Sequence, residues 1–291
     1  MGFFSSLFGK KQKPEEVKQE AKHEAPKQEV KREPIVEKKV ETPVVETKKV
    51  EEIKKENMSD TIKFKIDGKE CVGKNGQSIL DAAIENGVYI PSLCHMKDVI
   101  PAGSCRICQI KMNGRTMAAC TTPLTCDCNN LEIENDTPEI NEVRKAIVEV
   151  LFVEGNHFCP SCEKSGCCEL QALGYKYAML VPRFQYAFPQ REIFAASPNL
   201  MLDRNRCILC KKCVRIIKDE KGRSVFALKN RGHKLEINID VDLAKTLSPA
   251  IAQKAMEICP VGAIIKKEKG FAVPIGSRKF DLKPIGIGNL N

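Results

Sequence analysis

Eleven of the fifteen cysteines in this 291-residue chain fall into three sets whose spacing suits iron-sulfur clusters. Soft thiolate sulfur holds such clusters, while backbone amides in the ligand loops hydrogen-bond to their sulfur and tune the reduction potential. A protein with three such sets would pass electrons through itself. The sets are Cys94, Cys105, Cys108 and Cys120; Cys159, Cys162 and Cys168; and Cys207, Cys210, Cys213 and Cys259.

The first set predicts a 2Fe-2S cluster. Its cysteines are separated by ten, two and eleven residues, and the first gap contains Ala102, Gly103 and Ser104. These small residues can bring bare amides close to a small cluster. The alternative is a zinc site or a group of structural thiols. A zinc site with four cysteine ligands would more naturally show two CxxC pairs, and this set has one.

The second set has three cysteines, so a 4Fe-4S cluster bound there needs a fourth ligand. His157 is the nearest candidate, because it lies two residues before Cys159 and imidazole can replace thiolate on iron. The alternative is Cys167. Neighbouring side chains seldom both reach one cluster, so a thiol beside Cys168 is better explained as a small apolar group.

The third set is the bacterial ferredoxin pattern with one half deleted. A two-cluster ferredoxin would carry another cysteine after three further residues, and here Ile217 holds that position. Cys259, which Pro260 follows, must then complete the ligand set across a 45-residue insertion after Cys213. The third set therefore predicts a single 4Fe-4S cluster.

The remaining cysteines are interpreted as core or surface thiols, and the Cys126-x-Cys128 spacing is too tight for an ordinary cluster pair. A secreted disulfide framework is not indicated, because residues 1–13 lack the apolar run and cleavage site of a secretory signal. No stretch is long enough to span a membrane. We expect a cytoplasmic protein, in which tight CxxC pairs are metal sites. The four cysteines outside the sets are Cys71, Cys126, Cys128 and Cys167.

The formal net charge of +9 raises the possibility of nucleic-acid binding. Lys and Arg are, however, interleaved with Glu and form no basic block. Bound clusters with their thiolates would add negative charge and remove roughly half of the excess. We therefore expect no nucleic-acid partner.

Local patterns predict the elements that position the ligands of the first set. They indicate a β-hairpin followed by a short helix and then a cysteine loop, which is the opening of a β-grasp ferredoxin. The hairpin is indicated by the alternating apolar residues Ile62, Phe64 and Ile66, the turn Asp67-Gly68 and a returning strand over Glu70–Val72. The helix is indicated by the N-cap Ser78, the helix end at Asn86-Gly87, and an apolar face made of Ile79, Ala82, Ala83 and Ile84.

Helical spacing of apolar residues predicts a helix over Pro138–Phe152 that leads into the second set, with a second helix directly after it. In the insertion of the third set, Lys234–Val241 has a strand pattern and Pro249–Glu257 a helix pattern. The apolar positions that recur at helical spacing in the first of these helices are Ile140, Val143, Ile147, Val150 and Leu151.

Residues 1–57 form a tail of Lys, Glu, Val and Pro without a helical or strand period, and we expect this tail to be disordered. Its first 13 residues are apolar and then basic, so they could form an amphipathic turn on an anionic membrane surface or in a partner's groove. Gly2 and Ser6 also fit the myristoylation pattern. The alternative is a solvated tail.

The sequence thus predicts an α+β protein made of a tail and three small domains. The first domain is a β-grasp 2Fe-2S ferredoxin, the second a small helical 4Fe-4S domain with one histidine and three cysteine ligands, and the third a bacterial-ferredoxin-like 4Fe-4S domain with a C-terminal tail. Their predicted ranges are 1–57, 58–137, 138–178 and 199–291.

Five phrases in this order resemble a known family, namely SCRICQI, GNHFCPSC, CELQALG, RCILCKKCVR and ICPVGAI. They resemble the N-terminal part of the large iron-sulfur subunit of respiratory complex I, and still more closely the small diaphorase subunit of NAD-reducing nickel-iron hydrogenases. The complex I pattern leaves three residues between its histidine and the cysteine pair, a place held here by Gly155. The shorter His157-x-Cys159 spacing, the end at Asn291 without a molybdopterin-like domain, and the tail GFAVPIGSRKFDLKPIG look like the hydrogenase branch.

The resemblance implies an electron-transfer subunit with one 2Fe-2S and two 4Fe-4S clusters, working between a flavin-bearing partner that holds FMN and NAD(H) and a nickel-iron hydrogenase module. It implies no substrate site of its own, and the chain has no GxGxxG, Walker loop or catalytic triad candidate. Two alternatives stay open. One is the equivalent subunit of an NADH-linked formate dehydrogenase or NADH:quinone oxidoreductase, and the other is a zinc protein without redox function.

Overall fold

The computed structural model describes residues 61–125, 130–268 and 270–289. The predictions made for the 1–57 tail, including membrane or partner contact through residues 1–13, lie outside these residues. So do those made for Cys126 and Cys128.

The predicted hairpin and helix open the described chain. Strands β1 (Thr61–Ile66) and β2 (Lys69–Lys74) pair antiparallel, with Phe64 opposite Cys71. Their turn has positive φ at Asp67 (49°) and Gly68 (78°), as a type I′ turn requires. Helix α1 (Ile79–Glu85) begins at the N-cap Ser78, whose hydroxyl accepts from the amide of Asp81. These sequence predictions are confirmed.

The hairpin belongs to a five-stranded mixed sheet whose other members are β3 (Gln109–Met112), β4 (Arg115–Ala118) and β5 (Leu131–Glu134). The strand order is β2-β1-β5-β3-β4, and β5 runs parallel to β1. Side chains from the sheet and α1 form what we call the N-terminal core. This core contains Phe64, Cys71, Leu80, Cys108 and Cys120.

Helix α2 (Pro138–Val153) is the predicted helix before the second cysteine set, with Thr137 as N-cap and proline at its start. Its buried side includes some of the apolar positions, with Ile147 and Leu151 packed against buried residues, and it also includes charged residues. Ile140 is buried, but Val143 and Val150 are exposed, and Arg144 and Glu149 are buried in place of apolar residues.

The buried charged groups on α2 are tolerated because both are hydrogen-bonded. Arg144 donates through Nη2 to the carbonyl of Gln109 and to Oδ1 of Asn135, both at 2.7 Å. Glu149 accepts from Nε of Arg183 at 2.8 Å. Hydrogen bonds to charged groups contribute about 1.5–3 kcal/mol each. The Arg144 bonds therefore fix α2 against the sheet beside the first cysteine set.

The rest of the chain packs around small helices and two small sheets. The predicted helix after the second set and the strand and helix of the insertion are all present. The elements are α3 (Glu169–Lys176), β6 (Ile193–Phe194), β7 (Leu200–Asp203), α4 (Lys212–Ile216), β8 (Phe226–Lys229), β9 (Glu236–Ile239), α5 (Val241–Lys245), α6 (Pro249–Ile258) and β10 (Ile264–Lys266). The three-stranded sheet has the order β10-β7-β6, and β8 pairs with β9.

These elements share one second cluster of buried side chains, the C-terminal core. It contains Cys168, Cys210, Cys213 and Cys259, and it also reaches Cys94 and Cys105. The first cysteine set therefore lies where the two cores meet. Within the described residues, no helix is long and apolar enough to cross a membrane.

Candidate metal centres

The first set brings four buried thiols together from three loops. Cys94 follows α1, Cys105 and Cys108 precede β3, and Cys120 follows β4. The thiols hydrogen-bond to one another, joining Cys94 to Cys105 and Cys120, and Cys108 to Cys120. Bonds from Cys105 and Cys120 hold the pKa of Cys94 well below its ordinary value, while the pKa of Cys105 and Cys120 is raised. A bond from Cys120 also lowers the pKa of Cys108, so the thiolate form is favoured at Cys94 and Cys108 and the thiol form at Cys105 and Cys120.

The loop of the first set contains two residues in the left-handed region, Gly103 (φ 58°) and Arg106 (φ 58°). Positive φ is uncommon for a residue with a side chain, and it turns successive amides toward one side. Backbone amides bond to these sulfurs, including that of Ile107 to Cys105. The side chain of Ser104 also bonds to Cys94. The loop therefore combines gathered sulfurs with inward hydrogen-bond donors, as a cluster site needs.

The second set lines one small cavity. Its walls include His157, Cys159, Cys162 and Cys168, together with Phe152. Cys159 opens a short 3₁₀ turn over Cys159–Ser161, and Cys168 is the N-cap of α3, where its sulfur accepts from the amide of Gln171 at 3.4 Å. Burial raises the pKa of the Cys168 thiol to about 12. A metal would have to displace its proton, which couples binding to pH.

His157 has a free ring nitrogen in this cavity. Its Nε2 is buried and has no hydrogen-bond partner among the described residues. The backbone of Leu151 bonds to the ring, which must engage Nδ1, and Phe152 packs edge-on at 5.4 Å between ring centroids. Burial, and then the charge of Arg206, lowers the pKa of His157 to about 4, so the imidazole is neutral. A neutral ring with one nitrogen anchored and the other unpartnered suits a metal ligand.

Cys167, the alternative ligand, does not line the cavity of the second set. It lines a surface groove with Arg278 and Lys279 of the C-terminal segment. The adjacent Gly166 accepts through its carbonyl from the amide of Phe280 at 2.9 Å. The side chain of Cys167 therefore lies toward the C-terminal segment, while those of Cys168 and His157 share the cavity.

The third set lines a second small cavity with all four of its cysteines. Cys213 lies on α4 and Cys259 is the C-cap of α6, so the fold closes the 45-residue gap. Leu209 (φ 52°) and Lys211 (φ 62°) flank Cys210 in the left-handed region. This conformation lets the amide of Leu209 donate to Sγ of Cys207 at 3.4 Å.

Burial raises the pKa of the Cys207 thiol to about 11, and it also raises the pKa values of Cys210 and Cys213. Ile217, at the position where a two-cluster ferredoxin has another cysteine, is completely buried in the C-terminal core. The position that could have started a second centre is thus used for packing.

An arginine that sequence reasoning overlooked joins the first set to the third. Arg215 on α4 donates to the carbonyl of Cys94 at 2.7 Å and to that of Ile100 at 2.6 Å. The same guanidinium lies 3.4 Å from the carbonyl of Cys210. One guanidinium fork therefore holds a ligand loop of the first set against a ligand loop of the third.

Further contacts join the third set to the second. Glu169, which follows Cys168, donates its amide to the carbonyl of Pro260 at 2.8 Å and pairs with Lys212 at 3.6 Å. Arg206, which precedes Cys207, reaches Sγ of Cys162 at 3.7 Å. The phrase RCILCKKCVR contains Arg206, Lys212 and Arg215, so the basic residues that make these contacts are visible in the sequence. The third set thus contacts both of the others.

The remaining thiols are consistent with structural roles. Cys71 is buried in the N-terminal core and points to the carbonyl of Lys69 at 3.5 Å. All thirteen described cysteines are free of disulfides. In the part of the chain that the structure describes, no group of three or more His, Cys, Asp or Glu side chains has the arrangement of a single-ion site.

Three family profiles match the chain in sequence order. The 2Fe-2S iron-sulfur cluster binding domain matches residues 59–138. The NADH-ubiquinone oxidoreductase-G iron-sulfur binding region matches residues 144–183. The NADH-quinone oxidoreductase subunit 3, ferredoxin-like domain matches residues 197–265. A 2Fe-2S domain followed by iron-sulfur and ferredoxin-like regions, as expected from the cysteine spacing, is confirmed.

Similar proteins agree with these profiles. The G subunit of the NADH-quinone oxidoreductase of Rickettsia prowazekii is 30% identical over 224 residues, which cover 76% of this chain and 32% of that protein. A chain in the crystal structure of NAD+-reducing NiFe-hydrogenase in the H2-reduced state superposes with a TM-score of 0.71 at 38% identity, covering 78% of this chain and 98% of that one. The gamma subunit of the NAD-reducing hydrogenase HoxS of Cupriavidus necator is 46% identical over 226 residues, which cover 77% of this chain and 95% of that protein. With 95% of that protein matched, and with all three cysteine sets gathered in one fold, the chain belongs to the family of gamma subunits of NAD-reducing hydrogenases.

Proposed function

We propose that this chain carries electrons between an NAD(H)-binding flavin diaphorase partner and a nickel-iron hydrogenase module. The observation that carries the proposal is the contact of the third cysteine set with both of the others, in a chain 46% identical to a gamma subunit of an NAD-reducing hydrogenase. The chain acts as part of an oxidoreductase complex, and in this proposal the substrate sites lie on its partners. FMN and NAD(H) belong to the partner in this proposal.

We assign twelve side chains as ligands in three groups. The orphaned Nε2 of His157, the thiols collected in two small cavities and the inward amides of the loops support the assignment. When bound, the clusters supply one-electron carriers. The proposed ligands are Cys94, Cys105, Cys108 and Cys120 for 2Fe-2S; His157, Cys159, Cys162 and Cys168 for 4Fe-4S; and Cys207, Cys210, Cys213 and Cys259 for 4Fe-4S.

Contacts between these ligand sets support the spatial order first, third, second. Arg215 holds the first and third together, while Arg206 and the pair Glu169–Lys212 hold the third to the second. Burial of most of these cysteines, and of the His157 ring nitrogen, limits the access of water to the proposed ligands. Buried thiols with raised pKa keep their protons until metal displaces them, so loading is expected to release protons.

We propose that residues 58–137 form the 2Fe-2S domain, residues 138–178 the histidine-and-cysteine 4Fe-4S domain, and residues 199–291 the ferredoxin-type 4Fe-4S domain. The N-terminal core supports the first range, since it is built from the sheet and α1. The second and third cysteine sets lie in one shared core, so we expect these two regions to fold as one unit. We place the protein in the cytoplasm.

Co-purification tests the terminal partner. A complex isolated through this chain is expected to contain nickel and flavin, and to reduce NAD with hydrogen. Similarity to the G subunit of an NADH-quinone oxidoreductase favours a second candidate, an NADH:quinone oxidoreductase partner. Recovery with a quinone-reducing complex, or with a molybdenum or tungsten formate dehydrogenase subunit, would reject the hydrogenase assignment.

Metal analysis tests the cluster count. Anaerobically purified chain is expected to contain about ten irons and about as many acid-labile sulfides, the sum of one 2Fe-2S and two 4Fe-4S cores. Zinc measured on the same sample is the control for the alternative site chemistry. Stoichiometric zinc with little sulfide would contradict the redox assignment.

Two glycines beside the second set provide a test of the His157 site. A Cβ at Gly155 would lie 2.6 Å from Nε2 of His157, and one at Gly262 would collide with Sγ of Cys162. We expect Gly155→Ala and Gly262→Ala each to remove most of the second 4Fe-4S signal in electron paramagnetic resonance (EPR), because the ligand atoms must move. Gly270→Ala is the matched control, since its Cβ would lie 3.7 Å from Cγ of Glu163, an ordinary contact. Full signals in both ligand-side variants would count against these ligand positions.

A further inference from the structure

Arg206 places a positive charge against the second ligand set. Its Nη1 lies 3.7 Å from Sγ of Cys162, within the range of an N–H to sulfur hydrogen bond, and its side chain lines the same cavity as His157. Only 17% of the Arg206 side chain is exposed. A guanidinium in this position is weakly screened by solvent, so its charge acts strongly on the groups in the cavity.

This arginine is the sequence neighbour of Cys207, a proposed ligand of the third set, yet its side chain faces the second. Among the described residues, Arg206 is not one of those that line the cavity of the third set. Burial raises the pKa of the Cys159 thiol, and the positive charge of Arg206 acts in the opposite direction and lowers it. Burial likewise raises the pKa of Cys207, and there the opposing charges are those of Arg191 and Arg204. The two centres thus have different arginines beside them.

The position of the guanidinium is held from its other edge. Nε of Arg206 pairs with Oδ2 of Asp203 at 2.9 Å, and the Asp203 side chain is 7% exposed. Asp203 is itself fixed, because its Oδ1 accepts from the amide of Asn205 at 3.0 Å at the start of the short turn Arg204–Arg206. A planar fork can contact the carboxylate along one edge and the sulfur along another, which a lysine ammonium cannot reproduce.

We propose that Arg206 raises the reduction potential of the second cluster and leaves that of the third largely unchanged. The inference depends on the proposed ligand set of His157, Cys159, Cys162 and Cys168. Reduction adds one negative charge to the centre, so a largely buried cation and an N–H donated to a ligand sulfur stabilise the reduced form more than the oxidised form. Asp203 opposes this effect through its negative charge, and it also orients the arginine.

The test is a potentiometric titration of the purified complex, with each 4Fe-4S signal followed by EPR. The second signal is assigned by its loss in Cys168→Ala. In Arg206→Gln, we expect the ratio of reduced to oxidised second cluster at a fixed potential to fall about tenfold, which is about 59 mV for a one-electron couple. Arg206→Lys retains the charge and is expected to recover more than half of that change. The third signal should move by less than about twofold in either variant.

Two further variants make the test decisive. Asp203→Asn removes the opposing charge and keeps a hydrogen-bonding side chain, so the second cluster should become easier to reduce. Arg223→Gln is the control for net charge, because Arg223 is an exposed arginine paired with Asp219 on the surface and should change neither potential. If Arg206→Gln fails to retain the second signal, Asp203→Asn and Arg206→Lys still decide the question.

An unchanged ratio in Arg206→Gln with an intact second signal would overturn the inference. So would an equal shift of both signals, or a second cluster that is no easier to reduce in Asp203→Asn. Each of these outcomes leaves the ligand assignment standing. Absence of a second 4Fe-4S signal from the unaltered complex would instead refute the proposed function itself, so the two failures are distinguishable.

Discussion

Cys213→Ala is expected to stop electron transfer between the two ends of the chain while leaving the first and second centres in place. Loss of residues that only support metal ligands typically costs about 10- to 100-fold in metal affinity or activity, so loss of a ligand should lower hydrogen-dependent NAD reduction by at least roughly 100-fold. The physical reason is position. The third set contacts both of the others, through Arg215 on one side and Arg206 on the other.

The measurement is rapid mixing of the purified complex with NADH or hydrogen, followed by freeze-quenched EPR. In Cys213→Ala, one of the first and second centres lies nearer the electron source and should be reduced. The other of these two, the far centre, should stay oxidised. Cys168→Ala is the matched comparison, since loss of the second set should leave the first and third connected. Dye reduction by the flavin partner should stay at the unaltered level in both variants. Normal reduction of the far centre in Cys213→Ala would contradict the spatial order.

His157→Ala is expected to remove or convert the second 4Fe-4S cluster and to leave the other two signals unchanged. The ring is buried, neutral and anchored by the Leu151 backbone, and its Nε2 is unpartnered among the described residues. Alanine supplies no donor atom, so a complete loss would reduce the iron content from about ten to about six per chain. Electron transfer to or from that end of the complex should fall accordingly.

Two substitutions separate ligation from packing. His157→Cys restores a donor and should recover a 4Fe-4S signal, although with altered EPR parameters because thiolate is charged and imidazole is neutral. Cys167→Ala removes the rival thiol, which lines the surface groove and is expected to leave all three signals intact. An unchanged spectrum in His157→Ala, or loss of the second signal in Cys167→Ala, would assign the fourth ligand elsewhere.

Sequence patterns predicted the local elements well where one signal dominated. The Asp67-Gly68 turn, the Ser78 cap and the helix beginning at Pro138 all depend on residues a few positions apart, and the structure confirms each of them. The apolar spacing on α2 predicted the helix but not the whole of its buried side, because such spacing does not show which charged residues find hydrogen-bond partners. Arg144 and Glu149 occupy the buried face since each finds partners brought by distant segments.

The sequence by itself determined how many centres to expect and of what kind. Each set contains at least one short segment, and spacings such as those of Cys105 with Cys108, or His157 with Cys159, define a local shape that no distant residue has to supply. The presence of Ile217 in place of a cysteine likewise limited the third set to one centre. Comparison with known proteins then confirmed the family that these motifs resemble.

Only the tertiary structure decided how the centres are arranged. Along the chain the sets run first, second, third, but in space the third lies in contact with both of the others. This order depends on bonds such as that of Arg215 to Cys94, across 121 residues, and of Arg206 to Cys162, across 44. Spacing cannot encode such contacts, because they arise when separately formed loops bury their surfaces in shared cores. The same packing turns Arg206 away from its neighbour Cys207 and toward the second set.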